Sequence, residues 1–135
     1  MIVYIFGNGN IKYSDFEEFY LKLIKRLANE NVQFIVCDFR GVDTLIMEYL
    51  KCETEKVTII HIGEKLRYLP DKYKTKVSQW KIKGGFEDDK SRDNYAINIC
   101  THFIAKDFNS NKNRISGTQK NIELCQSLNK IKIDE

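Results

Sequence analysis

The sequence predicts an α/β fold, a Rossmann-like three-layer sandwich with a mainly parallel central sheet. Two observations carry this. Short apolar runs, IVYIF, QFIVC, VTIIHI and THFIAK, alternate with segments whose apolar residues recur at three and four positions. Each return from one run to the next passes through such a segment, so the runs cannot pair as hairpins. They must lie side by side in parallel, joined by right-handed crossovers.

The elements follow in order. Residues 2–6 form an apolar run that stops at GNGN, as expected of a buried parallel strand ending in a turn. Ser14 followed by Glu17 has the spacing of a capping box and predicts a helix start. Behind it Phe16, Phe19, Tyr20, Leu23, Ile24 and Leu27 share one face, while Lys22, Lys25 and Arg26 face water. Strand 33–37, helix 43–51 and strand 57–62 continue the alternation. A helix from about 91 to 99, a strand over 101–106, a helix from about 117 to 128 and a short strand KIKI complete it.

Residues 63–90 interrupt this rhythm. They hold the only proline, the only tryptophan and the pair Gly84-Gly85, and between Glu64 and Lys83 there are seven Lys or Arg against two acids. With a net charge of +3 for the whole chain, the positive charge is local. No Gly/Ser-rich linker or repeat accompanies the change, so residues 1–135 are read as a single domain with an irregular basic excursion at about 63–90.

Composition narrows the class of protein. Hydrophobic residues make up 42% and charged residues 30%, and no apolar run approaches the roughly 18 residues of a membrane span. The start, MIVYIFGNGN, reads as a first strand and not as a signal peptide, which predicts a cytoplasmic protein. Cys37, Cys52, Cys100 and Cys125 form no CxxC pair, and His61 and His102 stand apart from them, so structural thiols are expected and neither a metal nor a cofactor is.

In an open parallel sheet, ligands bind at the carboxyl ends of the strands, where the strand order reverses. The loop FGNGN supplies Gly7, Asn8 and Gly9, whose backbone N–H groups can converge on an anion, although GNGNIK does not complete a GxGxxG fingerprint. DFRGVD supplies Gly41 for a tight turn, Arg40 to meet an anion, and Asp43, which is either a helix cap or a ligand contact. In RISGTQKNI, Ser116, Gly117 and Thr118 open a helix, where unpaired N–H groups and the helix dipole favour phosphate, and Asn121 lies one turn inside on the same face.

Taken together, the GNGN turn after the first strand, RGVDTLIMEYL, RDNYA before an apolar strand and SGTQKNIELC resemble the SLOG superfamily over nearly the whole chain. That Rossmann-like group includes the LOG phosphoribohydrolases, DprA proteins and nucleotide-sensing domains of prokaryotic conflict systems. The resemblance implies a nucleotide or nucleoside phosphate held at the sheet's C-terminal edge, with Gly7–Gly9 and Ser116–Thr118 at phosphate or ribose. It also implies that Arg92 and Asp93 border the pocket, although Arg92 has the alternative of an ordinary surface ion pair with Asp89 and Asp93. Homodimers are compatible with it, since SLOG-like domains often associate, but no residue fixes an interface.

The resemblance departs at the enzyme question. LOG enzymes carry a glutamate where this chain has Asn121, and an amide cannot transfer a proton near neutral pH. An N-glycosidase therefore requires Asp43 or Asp93 as acid or base. A further alternative is single-stranded nucleic-acid binding through residues 64–83, where Arg67, Tyr68, Tyr73 and Trp80 interleave with lysines. The same segment could instead close over the pocket as a lid, with Lys65 and Arg67 best placed to reach phosphate.

Overall fold

Alternation within each strand builds the molecule's layers. In the computed structural model, which describes residues 1–28 and 30–134, Val3, Ile5, Phe34, Val36, Val57 and Ile59 turn to one side of the sheet and Tyr4, Phe6, Ile35 and Cys37 to the other. Both faces are buried, as the continuous apolar runs require.

Six strands form one sheet in the order β4-β3-β2-β1-β5-β6, and every pair is parallel. They are β1 (Ile2–Ile5), β2 (Gln33–Cys37), β3 (Val57–Ile62), β4 (Lys81–Phe86), β5 (His102–Ile104) and β6 (Ile131–Lys132). On the first face lie α1 (Tyr13–Phe16) and α2 (Lys22–Leu27), joined through a π turn (Glu17–Leu21), and α3 (Val42–Leu50). On the second lie α4 (Asp89–Ile99) and α5 (Gly117–Ser127). The predicted three-layer α/β architecture with a parallel sheet is the observed one. No helix is long and apolar enough to cross a membrane among the described residues.

The chain steps from β1 outward to β4 and then crosses back to place β5 on the other side of β1. The strand order therefore reverses beside β1, and the loops leaving β1, β2 and β5 meet at one rim.

Two local expectations fail. The helix starts at Tyr13 with Lys12 as a cap that contributes no side-chain bond, so Ser14 lies inside the first turn and its capping box does not form. Burying Phe16 and Tyr20 is worth several kcal/mol against about 1 for a cap, and it fixes the helix position. The second concerns residues 63–90, which are not wholly irregular. Their last part is strand β4, an exposed edge paired in parallel with β3, preceded by a single 3₁₀ turn (Val77–Gln79).

The tryptophan of that segment belongs to the core. Trp80 and Val77 are buried in the first-face cluster, where Leu66, Tyr68 and Leu69 also pack. The Trp80 indole N–H donates to the Thr54 carbonyl at 2.9 Å, and the Lys76 N–H donates to the Lys51 carbonyl at 2.7 Å. The excursion is thereby fastened along its length, and its largest ring is unavailable for stacking on a base.

Candidate nucleotide site

A hollow of about 480 Å³ opens at the rim where the strand order reverses, within the range typical of small-molecule sites. Three loops enclose it, and polar side chains lace them together. Asn8, buried in the loop after β1, donates to Asp107 Oδ1 at 3.0 Å and to Thr118 Oγ1 at 3.3 Å, and accepts the Phe108 N–H at 2.8 Å. The loop after β2 comes equally close. Gly41 has φ of 75°, and a Cβ there would stand 2.5 Å from the Asn8 carbonyl oxygen and 2.6 Å from Gly9 Cα. Only glycine satisfies both the backbone angle and the approach.

Below the loops, Tyr20 ties the strand ends. The π turn places its fully buried ring so that the hydroxyl donates to the Phe6 carbonyl at 2.8 Å and accepts the Lys106 N–H at 3.0 Å. The ends of β1 and β5 are thus joined by one side chain where their loops diverge.

Asp107 organises the side of the hollow formed by α5. It accepts from Ser116 Oγ at 2.6 Å and from the N–H groups of Asn109 and Ser110 at 3.2 and 3.0 Å, in addition to Asn8. Burial works to raise its pKa, but these bonds outweigh that and hold it below the usual carboxylate range. Ser116 caps α5 by accepting the Gln119 N–H at 3.0 Å. The N–H groups of Gly117 and Thr118, the two residues between the cap and Gln119, have no acceptor among the described residues.

The floor is ionic. Arg92, 5% exposed, lies in the first turn of α4 and donates through Nε and Nη2 to Asp93 Oδ1 at 3.1 and 3.0 Å, with Asp89 Oδ1 3.2 Å from Nη2. Its Nη1 is buried without a hydrogen-bond partner, 3.9 Å from Asp38 Oδ1. Asp93 also receives the Asn121 amide on Oδ2 at 3.0 Å and the Tyr4 hydroxyl on Oδ1 at 3.5 Å. The alternative of an ordinary surface ion pair for Arg92 is therefore corrected: its side chain is buried, and its partners face the hollow.

Asp43 is not the cap of α3. Gly41 occupies that position without a side-chain bond, and Asp43 Oδ2 accepts the Phe39 N–H at 3.0 Å. The carboxyl is 6% exposed, lines the hollow and has its pKa pushed up to about 7. Burial is the main cause; the Phe39 N–H and Arg92 oppose it, while Asp93 and Asp38 add to it.

Of the sequence candidates, Gly7, Asn8, Gly9, Arg40, Asp43, Arg92, Asp93, Ser116, Gly117, Thr118 and Asn121 line this hollow, and Gly41 shapes it from behind. Arg67 does not line it. Its backbone N–H, Nε and Nη2 bind the buried Asp38 at 2.6, 3.3 and 3.0 Å, and from there its guanidinium lies over the Phe39 ring and 4.0 Å from Asp89 Oδ1 at the edge of the lining. Asp38, at the end of the second apolar run, absorbs the charge that Arg67 was expected to offer a ligand. Sequence reasoning missed Tyr4, Asp107, Tyr20 and Arg114. Asp107 and Arg114 sit in the loop after β5 and could have been found as the polar residues flanking the small-residue turn. The π turn that aims Tyr20 has no sequence signal. Among the described residues neither Arg40 nor Arg114 has a carboxylate within ion-pair distance, so neither charge is paired, although Arg40 lies over the Phe39 ring at 4.9 Å.

A scan against protein-family models finds no match, and neither does a search of curated proteins. Among solved structures, DNA processing protein A from Helicobacter pylori, described for its single-stranded DNA binding mode, is similar with a TM-score of 0.68 at 18% sequence identity. The likeness covers 98% of this chain and 63% of that one, so this chain spans less than two thirds of its length. At that identity the likeness is one of fold, and it bears out a Rossmann-like α/β architecture of the DprA kind.

Proposed function

We propose that this chain is a single SLOG-like domain that binds a nucleotide or nucleoside phosphate at the C-terminal edge of its sheet. One observation carries the reading. The glycine loop after β1, the open N-terminal turn of α5, and Arg40 and Arg114, neither with a carboxylate partner among the described residues, all face one hollow of suitable size. Helix-terminal amides favour an anion by about 0.3–2 kcal/mol, and micromolar affinity requires about 8, so the arginines, hydroxyls and further polar contacts must supply the rest.

Thermal melting in the presence of nucleoside monophosphates, cyclic nucleotides and ADP-ribose-type compounds tests this. A ligand at a hundred times its dissociation constant stabilises the fold by about 2.7 kcal/mol, readily seen for a chain of 135 residues. Arg40→Ala with Arg114→Ala should weaken that shift while leaving the unliganded melting point nearly unchanged. If none of these compounds shifts the transition, the reading is wrong.

Two other readings each have a specific support. Asp43, with a pKa near 7 at the hollow, suits a general acid or base and supports N-glycosidic hydrolysis despite Asn121; release of free base from a bound nucleotide would establish it. Similarity in fold to a protein that binds single-stranded DNA supports a nucleic-acid ligand. Burial of Trp80 removes one stacking surface from that reading, and steeply salt-dependent binding of single-stranded DNA would restore it.

A further inference from the structure

The three helices that line the hollow, α3, α4 and α5, do not present equal charge to it. The first turn of α3 carries Asp43, and that of α4 carries Asp89 behind an Asp88 cap; the first turn of α5 carries no acid. The first-turn carboxylates of α3 and α4 offset the positive ends of their own helices; the carboxylate near α5, Asp107, lies behind the cap and is taken up by hydrogen bonds from Ser116, Asn8, Asn109 and Ser110, which leaves the Gly117 and Thr118 N–H groups open to an anion. Asp43 and Asp93 also line the hollow, where Asp93 and, once ionised above about pH 7, Asp43 repel phosphate and accept hydrogen bonds.

The acidic end is only partly satisfied from within. Asp43 spends Oδ2 on the Phe39 N–H, and its Oδ1 has no partner among the described residues although the side chain is more than nine-tenths buried. Asp93 is fixed in orientation by Arg92 and Asn121 and retains acceptor capacity. An acceptor held in this way against a hollow suits a neutral donor such as a hydroxyl.

We infer that the hollow is bipolar and selects ribonucleotides, seating the phosphate at the α5 end and the ribose 2′- and 3′-hydroxyls against Asp43 and Asp93. The inference rests on the nucleotide reading and adds the sugar to it. Its consequence is that 2′-deoxy ligands, including DNA strands, are disfavoured at this site.

Calorimetric titration with one ribonucleoside monophosphate, its 2′-deoxy and 3′-deoxy forms, and ribose 5-phosphate separates the possibilities. The expected result is at least about tenfold weaker binding of each deoxy form, the loss that follows removal of a hydrogen bond to a charged group. Ribose 5-phosphate should retain measurable affinity. Asp43→Asn should reduce the preference, because its amide oxygen would take the Phe39 N–H and the N–H₂ left facing the sugar could only donate, replacing a hydrogen bond to a carboxylate with a neutral one. Asp43→Ala is the second variant, with the ribose-to-deoxyribose affinity ratio as the readout, since a purely structural role would lower both affinities together. Equal affinity for ribose and deoxyribose forms overturns this inference and leaves nucleotide binding standing. Binding of neither form overturns the nucleotide reading and the inference with it.

Discussion

Asn121 donates its side-chain amide to Asp93 Oδ2 at 3.0 Å, tying α5 to α4 directly across the floor of the hollow. The position where the resemblance led one to look for a catalytic glutamate thus holds a donor that orients a carboxylate. Asn121→Leu should lower stability by about 1–2 kcal/mol in urea unfolding, the cost of leaving a partly buried acceptor unpaired. Asn121→Glu should cost more at pH 8 than at pH 5, because it sets a second carboxylate against Asp93. Equal losses at the two pH values would contradict the geometry.

The buried carboxyl of Asp43 links folding to pH. Its pKa rises from an ordinary 3.8 to about 7 in the folded protein, so between those values the folded state holds a proton that the unfolded state has released. Stability from this group is therefore full below about pH 4 and is lost as pH rises through about 7, a change on the order of 4 kcal/mol. The charged and titratable groups facing it are Arg92 and Asp93 from α4, Asp38 and Cys37 at the end of β2, Tyr4 from β1 and Tyr20 from the π turn. Asp43→Asn should flatten the dependence across pH 4–7 and exceed the parent in stability at pH 8, as read from chemical denaturation. A slope unchanged in the variant would place the titration elsewhere.

Gly41→Ala should destabilise by about 2 kcal/mol or more, since a positive φ is combined with a Cβ aimed at the Asn8 carbonyl and Gly9. The same change should disturb the loop after β1. Amide exchange at Gly9 and Asn10, faster in the variant than in the parent under matched conditions, would report it.

Trp80→Ala should cost about 3–5 kcal/mol, as for a large aromatic removed from a core. Tyr73→Ala, at a ring 75% exposed in the same basic segment, should change stability by less than about 0.5 kcal/mol. If instead Trp80→Ala left stability intact and abolished single-stranded DNA binding, the ring would be a stacking platform.

The sheet was legible because buried parallel strands announce themselves as apolar runs: QFIVC and VTIIHI match β2 and β3 residue for residue. KIKGGF gave no such signal, because β4 is an exposed edge held mainly by backbone pairing to β3, and backbone bonds leave no mark on composition. Trp80 misled for a related reason: among lysines a ring looks like a nucleic-acid contact, and only the fold reveals that it is buried in the first-face core with its indole N–H on the Thr54 carbonyl. The rim loops could be grouped beforehand, because parallel topology alone sends them to one edge. What could not be foreseen was internal pairing. The charge of Arg67 is absorbed by Asp38, and Asn8 turns inward to Asp107 and Thr118, while Arg40 and Arg114 have no carboxylate partner among the described residues.

The placement of β1 between β2 and β5 also governs the order in which the chain can mature. Ile2 donates its N–H to Thr101 Oγ1, 99 residues on, and Val3 pairs with His102. On a ribosome the first strand therefore emerges with one flank unsatisfied until most of the chain has followed, and so distant a closure slows folding. For that interval β1 can pair with β2 alone, and its second edge stays open until β5 arrives.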